Sequence, residues 1–332
     1  MTLSIIIPYY NNNSWIARTL DSLMDQDLDP SDYEIIVVDD GSDEEPAVVK
    51  EYESRHAQIS YHRRDHSGVA AARNYGLSLA RGNWLHFCDG DDIIRPMVFG
   101  GLVSVAEEKG LEMVFTRRVW IKPSDPLPEP HRNFSSVSGI MTGMEYLGDA
   151  SLPLSWGMGS YLLKRSVVEK HNLSFENIFY VEDRMFMIDL LQKTSRVAYV
   201  DVDLYCYIQH EVSILHSKRK QNGPDFIAAE FVFLDKLAAM KDTPDIPGRT
   251  LDNVKMLCAN EAYNILINAF RYCPVEQTVD SISRLKEMGI YPIGKTDNRI
   301  VSRVRPLINC RHLWVFFCRC YHLLPQRLRF YS

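Results

Sequence analysis

Among the seven cysteines there is no Cys-x-x-Cys pair, and the set is odd and scattered: Cys88, Cys206, Cys258, Cys273, Cys310, Cys318 and Cys320. That pattern speaks against a disulfide framework. With a strand pattern starting at Leu3 where a leader would stand, it predicts a reduced, cytosolic setting. Cys310, His312, Cys318, Cys320 and His322 match no familiar zinc spacing, and the aromatic residues between them favour packing. No apolar run approaches the ~20 residues that a membrane-spanning helix needs. Gly-x-Gly-x-x-Gly is missing after the first apolar run, which excludes a dinucleotide-binding dehydrogenase. A glycine-rich loop followed by a lysine is missing there too, which disfavours a nucleotidyltransferase that makes sugar nucleotides. Acidic residues stop at Asp297, while Arg299, Arg303, Arg305, Arg311, Arg319, Arg327 and Arg329 follow. The net charge of −6 therefore hides a more acidic body and a basic tail, and it argues against nucleic acid as a partner.

What is present is ordinary in bulk: 332 residues, 46% apolar and 24% charged, enough for one large domain and a smaller one. Apolar, β-branched runs at 3–8, 33–38, 59–62 and 84–88 alternate with helical patterns at 15–23, 44–56 and 67–80. Ser14 is placed to cap the first helix and Gly82 to end the third. Further strands are expected at 112–119, 160–163, 197–200 and 204–208, with helices at 96–109, 165–171 and 182–193. Residues 122–136 read as a proline-rich loop, and Thr142 to Glu145 as a capping box. Strands alternating with helices predict a parallel α/β sheet. From Pro224 the pattern is helical, at 226–241, 250–272 and 275–288. The break at 218–224 divides a domain of residues 1–220 from a helical region of residues 221–332.

The run Trp84-Leu85-His86-Phe87-Cys88-Asp89-Gly90-Asp91-Asp92 ends a buried strand in three carboxylates within four residues. Like charges that close repel, and burying them uncompensated is costly. A divalent cation gripping phosphate oxygens would justify them; a solvated acidic turn is the plainer alternative. Tyr10 and Asp40 also fall just past strand ends, so three strand ends present polar groups to one crevice.

The motifs at 4–12 (Ser-Ile-Ile-Ile-Pro-Tyr-Tyr-Asn-Asn), 37–42 (Val-Val-Asp-Asp-Gly-Ser), 67–76 (Ser-Gly-Val-Ala-Ala-Ala-Arg-Asn-Tyr-Gly) and 89–92 (Asp-Gly-Asp-Asp) keep one order and spacing. With 181–186 (Val-Glu-Asp-Arg-Met-Phe), this order resembles family 2 glycosyltransferases over roughly residues 3–214. The resemblance implies the GT-A fold, a Rossmann-like and mostly parallel sheet flanked by helices. It also implies inverting transfer from a nucleotide sugar, usually a UDP-sugar, with Mn2+ or Mg2+ as cofactor.

Carried over residue by residue, the resemblance has Asp40 accept from the uracil N–H, with Pro8 and Tyr10 bordering base and ribose. Arg73 and Asn74 would reach ribose or phosphate. Asp91 would ligate the metal, and Asp89 would meet ribose or a metal-bound water. Asp92 either ligates or caps the turn. Asp183, second in the Glu-Asp pair, would take the proton of the acceptor hydroxyl. Trp156 would line the sugar pocket, with core packing as the alternative. His210 and Ser213 would approach metal or diphosphate, although Ile208 stands where relatives carry an arginine. Gln-x-x-Arg-Trp, a mark of processive members, is missing, so one sugar is added at a time.

Residues 299–331 mix arginine with Leu307, Trp314, Phe316, Phe317 and Phe330, the content of a helix lying in a membrane interface. That tail is expected either to dock on the anionic inner leaflet, where a polyprenyl-linked glycan acceptor would wait, or to pack on the body. A catalytically inactive glycan-binding or scaffold subunit is the competing reading, against which Asp91 and Asp183 speak.

Overall fold

A computed structural model describes residues 1–209 and 222–323 of the protein. The described residues fall into two compact units. One takes Met1–Tyr146, Ala150–Ile178 and the chain from Glu182 through the strand that ends at Ile208; the other takes Leu147–Asp149, Phe179–Val181 and the helices from Gly223 onward.

The first unit is built on β1 (Leu3–Tyr9), β2 (Tyr33–Asp39), β3 (Ile59–Arg63), β4 (Trp84–Phe87), β5 (Ile93–Ile94), β6 (Met113–Ile121), β7 (Arg132–Val137), β8 (Tyr161–Lys164) and β9 (Val197–Ile208). They form a nine-stranded sheet in the order β3-β2-β1-β4-β8-β6-β9-β5, with β7 attached to β9. β1 pairs in parallel with β2 and β4, β2 with β3, and β6 with β9; β5, β7 and β8 run antiparallel to their neighbours. All seven residues of β2 are buried, which is why that run is almost continuously apolar.

Around the sheet lie α1 (Ile16–Met24), α2 (Ala47–Arg55), α3 (Val69–Leu79), α4 (Phe99–Glu108), α5 (Gly143–Gly148), α6 (Arg165–His171) and α7 (Glu182–Lys193). α1 buries Ile16, Thr19, Leu20 and Leu23, the one-face spacing of an amphipathic helix. The register of β1 with β4 stops at Ile6 and Phe87, whereas β1 stays paired with β2 to Tyr9 and Asp39. The chain leaves β1 towards β2 on one side and returns to β4 on the other. Polar residues beyond these strand ends therefore share one crevice.

Several local expectations change. β9 is one strand of 12 residues where two were expected, and β7 occupies part of the loop at 122–136. Its exposed polar face hides the strand period. No side chain caps α1, so Ser14 does not serve that role. α3 ends before Gly82, which instead lies against β1: a Cβ there would come within 2.4 Å of the Ser4 nitrogen. The capping box does form, with Thr142 N–H donating to Glu145 Oε2 (2.8 Å) and Glu145 N–H donating to Thr142 Oγ1 (3.2 Å).

The second unit contains α8 (Gly223–Ala239), α9 (Gly248–Tyr272), α10 (Val275–Glu287), α11 (Arg299–Asn309) and α12 (Arg311–Leu323). α12 buries Trp314, Cys318 and Tyr321, and the rings of Trp314 and Tyr321 lie 5.3 and 4.4 Å from that of Phe270. Its Leu313, Phe316 and Leu323 stay exposed, as does Ile300 of α11. The described part of the tail, through Leu323, thus packs within its own unit and still carries an outward apolar face. Among the described residues no helix is long and apolar enough to cross a membrane, and no three His, Cys, Asp or Glu side chains form a group that could hold a metal ion.

Candidate active site

β4 delivers the acid loop. Its last residues are buried, and the turn that follows is closed by Asp92 N–H donating to the Asp89 carbonyl at 3.2 Å. Gly90 leaves little room for a side chain, since a Cβ would stand 3.2 Å from Asn12 Nδ2 and 3.3 Å from Ile16 Cδ1. Asp92 is buried; its carboxylate accepts from the Tyr205 hydroxyl and, at 2.7 Å, from Ile208 N–H. Through these bonds Asp92 ties the acid loop to β9, a role outside both of the readings expected for it. Burial, together with the charges of Asp89 and Asp91, pushes its pKa up to about 8. The Tyr205 oxygen also accepts from Asp89 N–H at 3.3 Å. Asp89 and Asp91 remain partly exposed.

Arg73, inside α3, is 4% exposed and holds two acids at once. Its Nη1 donates to Glu182 Oε1 at 2.8 Å and its Nη2 to Asp89 Oδ1 at 3.0 Å. Burial opposes its charge, but the carboxylates of Asp89, Glu182 and Asp183 outweigh that and raise its pKa. Asp183 follows at the start of α7. Burial and the neighbouring Glu182 charge raise its pKa to about 7, although Arg184 N–H donates to its Oδ1 at 2.7 Å. Asn74 pairs both ways with the backbone of Phe175, giving Nδ2 to the carbonyl and taking the N–H on Oδ1, each at 2.8 Å. Arg73 and Asn74, which the resemblance assigns to ribose or phosphate, thus also make internal contacts.

On the other side of the crevice, β2 ends in two buried acids. Asp39 accepts from Ser42 N–H and Oγ and from the Tyr61 hydroxyl, which shapes the turn. Asp40 accepts from Ser67 N–H (3.0 Å) and Gly68 N–H (2.7 Å), just ahead of α3. His66 Nδ1 lies 2.9 Å from Asp40 Oδ2 and Arg64 Nε 3.8 Å from Asp40 Oδ1. Tyr10 is exposed and lies against the His66 ring, 4.6 Å between centroids, while Pro8 sits half-buried in β1.

Trp156 is half-buried in the segment before β8. That segment grips a residue sequence reasoning missed: Arg118 of β6 donates through Nε to Ser160 Oγ (2.8 Å) and through Nη2 to the Met158 carbonyl. Tyr205 was missed as well. Its signal was the period-2 alternation along 204–208, in which Tyr205 and Tyr207 share a face. His210 and Ser213 lie outside the described residues. Asp89 and Asp91 are the partly exposed carboxylates of the acid loop, and Asp92 is the buried one. The oxygen-only donor pair of Asp89 and Asp91 suits a hard divalent cation.

Residues 4–171 match the family model described as Glycosyl transferase family 2. EpsJ of Bacillus subtilis (strain 168), described as an uncharacterized glycosyltransferase, is 33% identical over 218 residues, 64% of this chain and 62% of that protein. TarP of Staphylococcus aureus (strain N315), a poly(ribitol-phosphate) beta-N-acetylglucosaminyltransferase, is 22% identical over 236 residues, 68% of this chain and 69% of that protein. Among solved structures, S. aureus TarS 1–349 in complex with UDP-GlcNAc aligns with a TM-score of 0.66 at 16% identity, over 97% of this chain and 90% of that one. The mannosyltransferase PcManGT from Pyrobaculum calidifontis, in complex with GDP-Man and Mn2+, aligns with a TM-score of 0.53 at 15% identity, over 98% and 87%. The chain spans less than two thirds of EpsJ. Its fold is GT-A, a mostly parallel α/β sheet with a helical C-terminal region. With the family model covering half of its length, the chain belongs to glycosyl transferase family 2.

Proposed function

We propose that the protein is an inverting, non-processive glycosyltransferase that moves one sugar from a UDP-sugar to a hydroxyl of a glycan acceptor in surface-polysaccharide assembly. The observation that carries this reading is the Arg73 bridge, which sets Glu182 and its neighbour Asp183 beside Asp89 of the acid loop. UDP as the donor nucleotide is supported by the likeness to TarS with UDP-GlcNAc, and a glycan acceptor by the relationship to TarP.

In this reading the nucleotide lies over the ends of β1 and β2. Asp40 accepts from the uracil N–H, Tyr10 covers the base, Pro8 gives an apolar edge, and Asp89 turns its free face to the ribose. Arg73 and Asn74 position the site from behind. Trp156 gives a face to the sugar C–H groups. The acceptor hydroxyl loses its proton to Asp183 as its oxygen bonds to the anomeric carbon, and the bond to the diphosphate breaks with its electron pair leaving on UDP. A carboxylate with a pKa near 7 is matched to that proton transfer at neutral pH. Asp91, with His210, would hold Mn2+ or Mg2+, which when bound supplies charge neutralisation for the departing diphosphate. PcManGT with Mn2+ supports a divalent ion on this fold.

The exposed apolar residues of α11 and α12, with the arginines beside them, support a peripheral position on an anionic membrane surface, where a lipid-linked acceptor would be met. The division into residues 1–220 for catalysis and 221–332 for this helical region belongs to the same reading.

The test is UDP release from a panel of UDP-sugars with Mn2+, with Mg2+ and with EDTA, beside Asp91→Ala and Asp183→Asn. Metal-dependent release with one favoured sugar, lost in both variants, is the expected result. No release and no calorimetric UDP binding with either ion would overturn the reading.

A further inference from the structure

Trp120 is 61% exposed, an uncommon position for a tryptophan within a strand. It is also not isolated. β6 and β9 run in parallel with Arg118 opposite Tyr205 and Trp120 opposite Tyr207. Side chains two apart on a strand share a face, so these four form one strip. The contacts agree: the Arg118 guanidinium lies 5.3 Å from the Tyr205 ring centroid and 5.9 Å from that of Tyr207, and the Trp120 and Tyr207 rings meet edge-on at 4.8 Å.

The strip begins at the acid loop. Tyr205, at its buried end, gives its hydroxyl to Asp92 and takes Asp89 N–H on the same oxygen. From there the strip runs outward through half-buried Tyr207 to Trp120. The position of β4 in the sheet decides what it can serve. The nucleotide-side residues Tyr10 and Asp40 follow β1 and β2, on one side of β4, while β6 and β9 lie on the other. A transfer across the acid loop has its nucleotide on the first side and its acceptor on the second.

We propose that Trp120 and Tyr207 form a carbohydrate subsite that takes a sugar ring of the acceptor glycan, with Arg118 fixing the two tyrosines. The inference rests on the glycosyltransferase reading above and names a substrate contact for it. An aromatic face suits the C–H surface of a pyranose, and the edge-on Tyr207 holds the indole in place. Arg118 is a positioning residue, since its Nε and Nη2 are occupied by Ser160 and Met158.

The experiment measures saturation-transfer NMR and tryptophan fluorescence titration with cellotetraose and tetra-N-acetylchitotetraose, with calorimetry of UDP plus Mn2+ in parallel. Trp120→Ala is expected to weaken glycan binding about tenfold, Trp120→Phe to restore most of it, and UDP affinity to match the parent in both. Glycan affinity unchanged in Trp120→Ala, or no glycan bound by a parent protein that binds UDP, overturns the subsite alone. Failure of the parent protein to bind UDP takes the underlying reading with it.

Discussion

Arg73 and Glu182, 109 residues apart in sequence, meet at 2.8 Å in the buried wall of the crevice. Removing one partner of such a pair strands the other charge. Arg73→Leu is expected to cost about 3 kcal/mol of stability, seen as a lowered urea midpoint. Arg73→Lys keeps the charge but cannot hold Asp89 and Glu182 with a rigid fork. It should remain folded and lose turnover on the order of 100-fold in a UDP-release assay.

As the proposed base, Asp183 gives the proposed reaction a pH signature. Its raised pKa means that the base is half protonated near pH 7, so turnover should rise with pH through about 7 and level off above it. Asp183→Asn should lower turnover by a factor of about 100 to 10,000 and leave UDP affinity in place. For stability the sign is opposite. The folded state holds this proton more tightly than the unfolded chain, so stability is highest below the ordinary value of 3.8 and declines as pH rises to about 7. Urea midpoints of the two proteins across that window check the second half.

His86 works in the other direction. It is fully buried on β4, with Nδ1 3.1 Å from the Tyr161 carbonyl oxygen, and burial lowers its pKa from 6.5 to about 4. The unfolded chain takes up a proton below pH 6.5 that the folded chain refuses, so stability is kept above 6.5 and lost as pH falls towards 4. The loss is about 3 kcal/mol over that window. Denaturant midpoints at pH 7 and pH 4.5 should converge in His86→Gln relative to the parent.

Asn74 separates a clamp from a ligand contact. If its two bonds to Phe175 are its work, Asn74→Ala lowers stability by about 2 kcal/mol while the calorimetric Kd for UDP stays within twofold. A large rise in that Kd with unchanged stability would return Asn74 to the ribose.

Much of the first unit is legible because its strands are buried on both faces: β1 and β2 read as unbroken β-branched runs, and α6 and α7 begin and end where the pattern puts them. β7 was illegible because its residues face solvent and show no apolar alternation. Gly82 misled for a different reason: past a helix, glycine signals a cap, but here the requirement is space beside Ser4, which only the tertiary fold reveals. At the site, the sequence order of the acid loop and the Glu182-Asp183 pair singled out Asp89, Asp91 and Asp183. The partners of Arg73 were not, since a long-range bridge of 109 residues leaves no local trace. Tyr205 lay in plain view, yet only the folded chain shows its hydroxyl on Asp92.

β9 is paired with β5, β6 and β7, and it presents Tyr205 and Tyr207 on one face while Cys206 and Ile208 pack on the other with Ile93 and Ile121. Such a strand is a ruler with two-residue graduations. Deleting a single residue ahead of Leu204 would bring the Cys206 thiol under the acid loop in place of the Tyr205 phenol, and inserting one would bring the Leu204 side chain there. The loop would lose its fastening and the aromatic strip would invert in the same event. Point substitutions can damage these features separately; a change of length by one cannot.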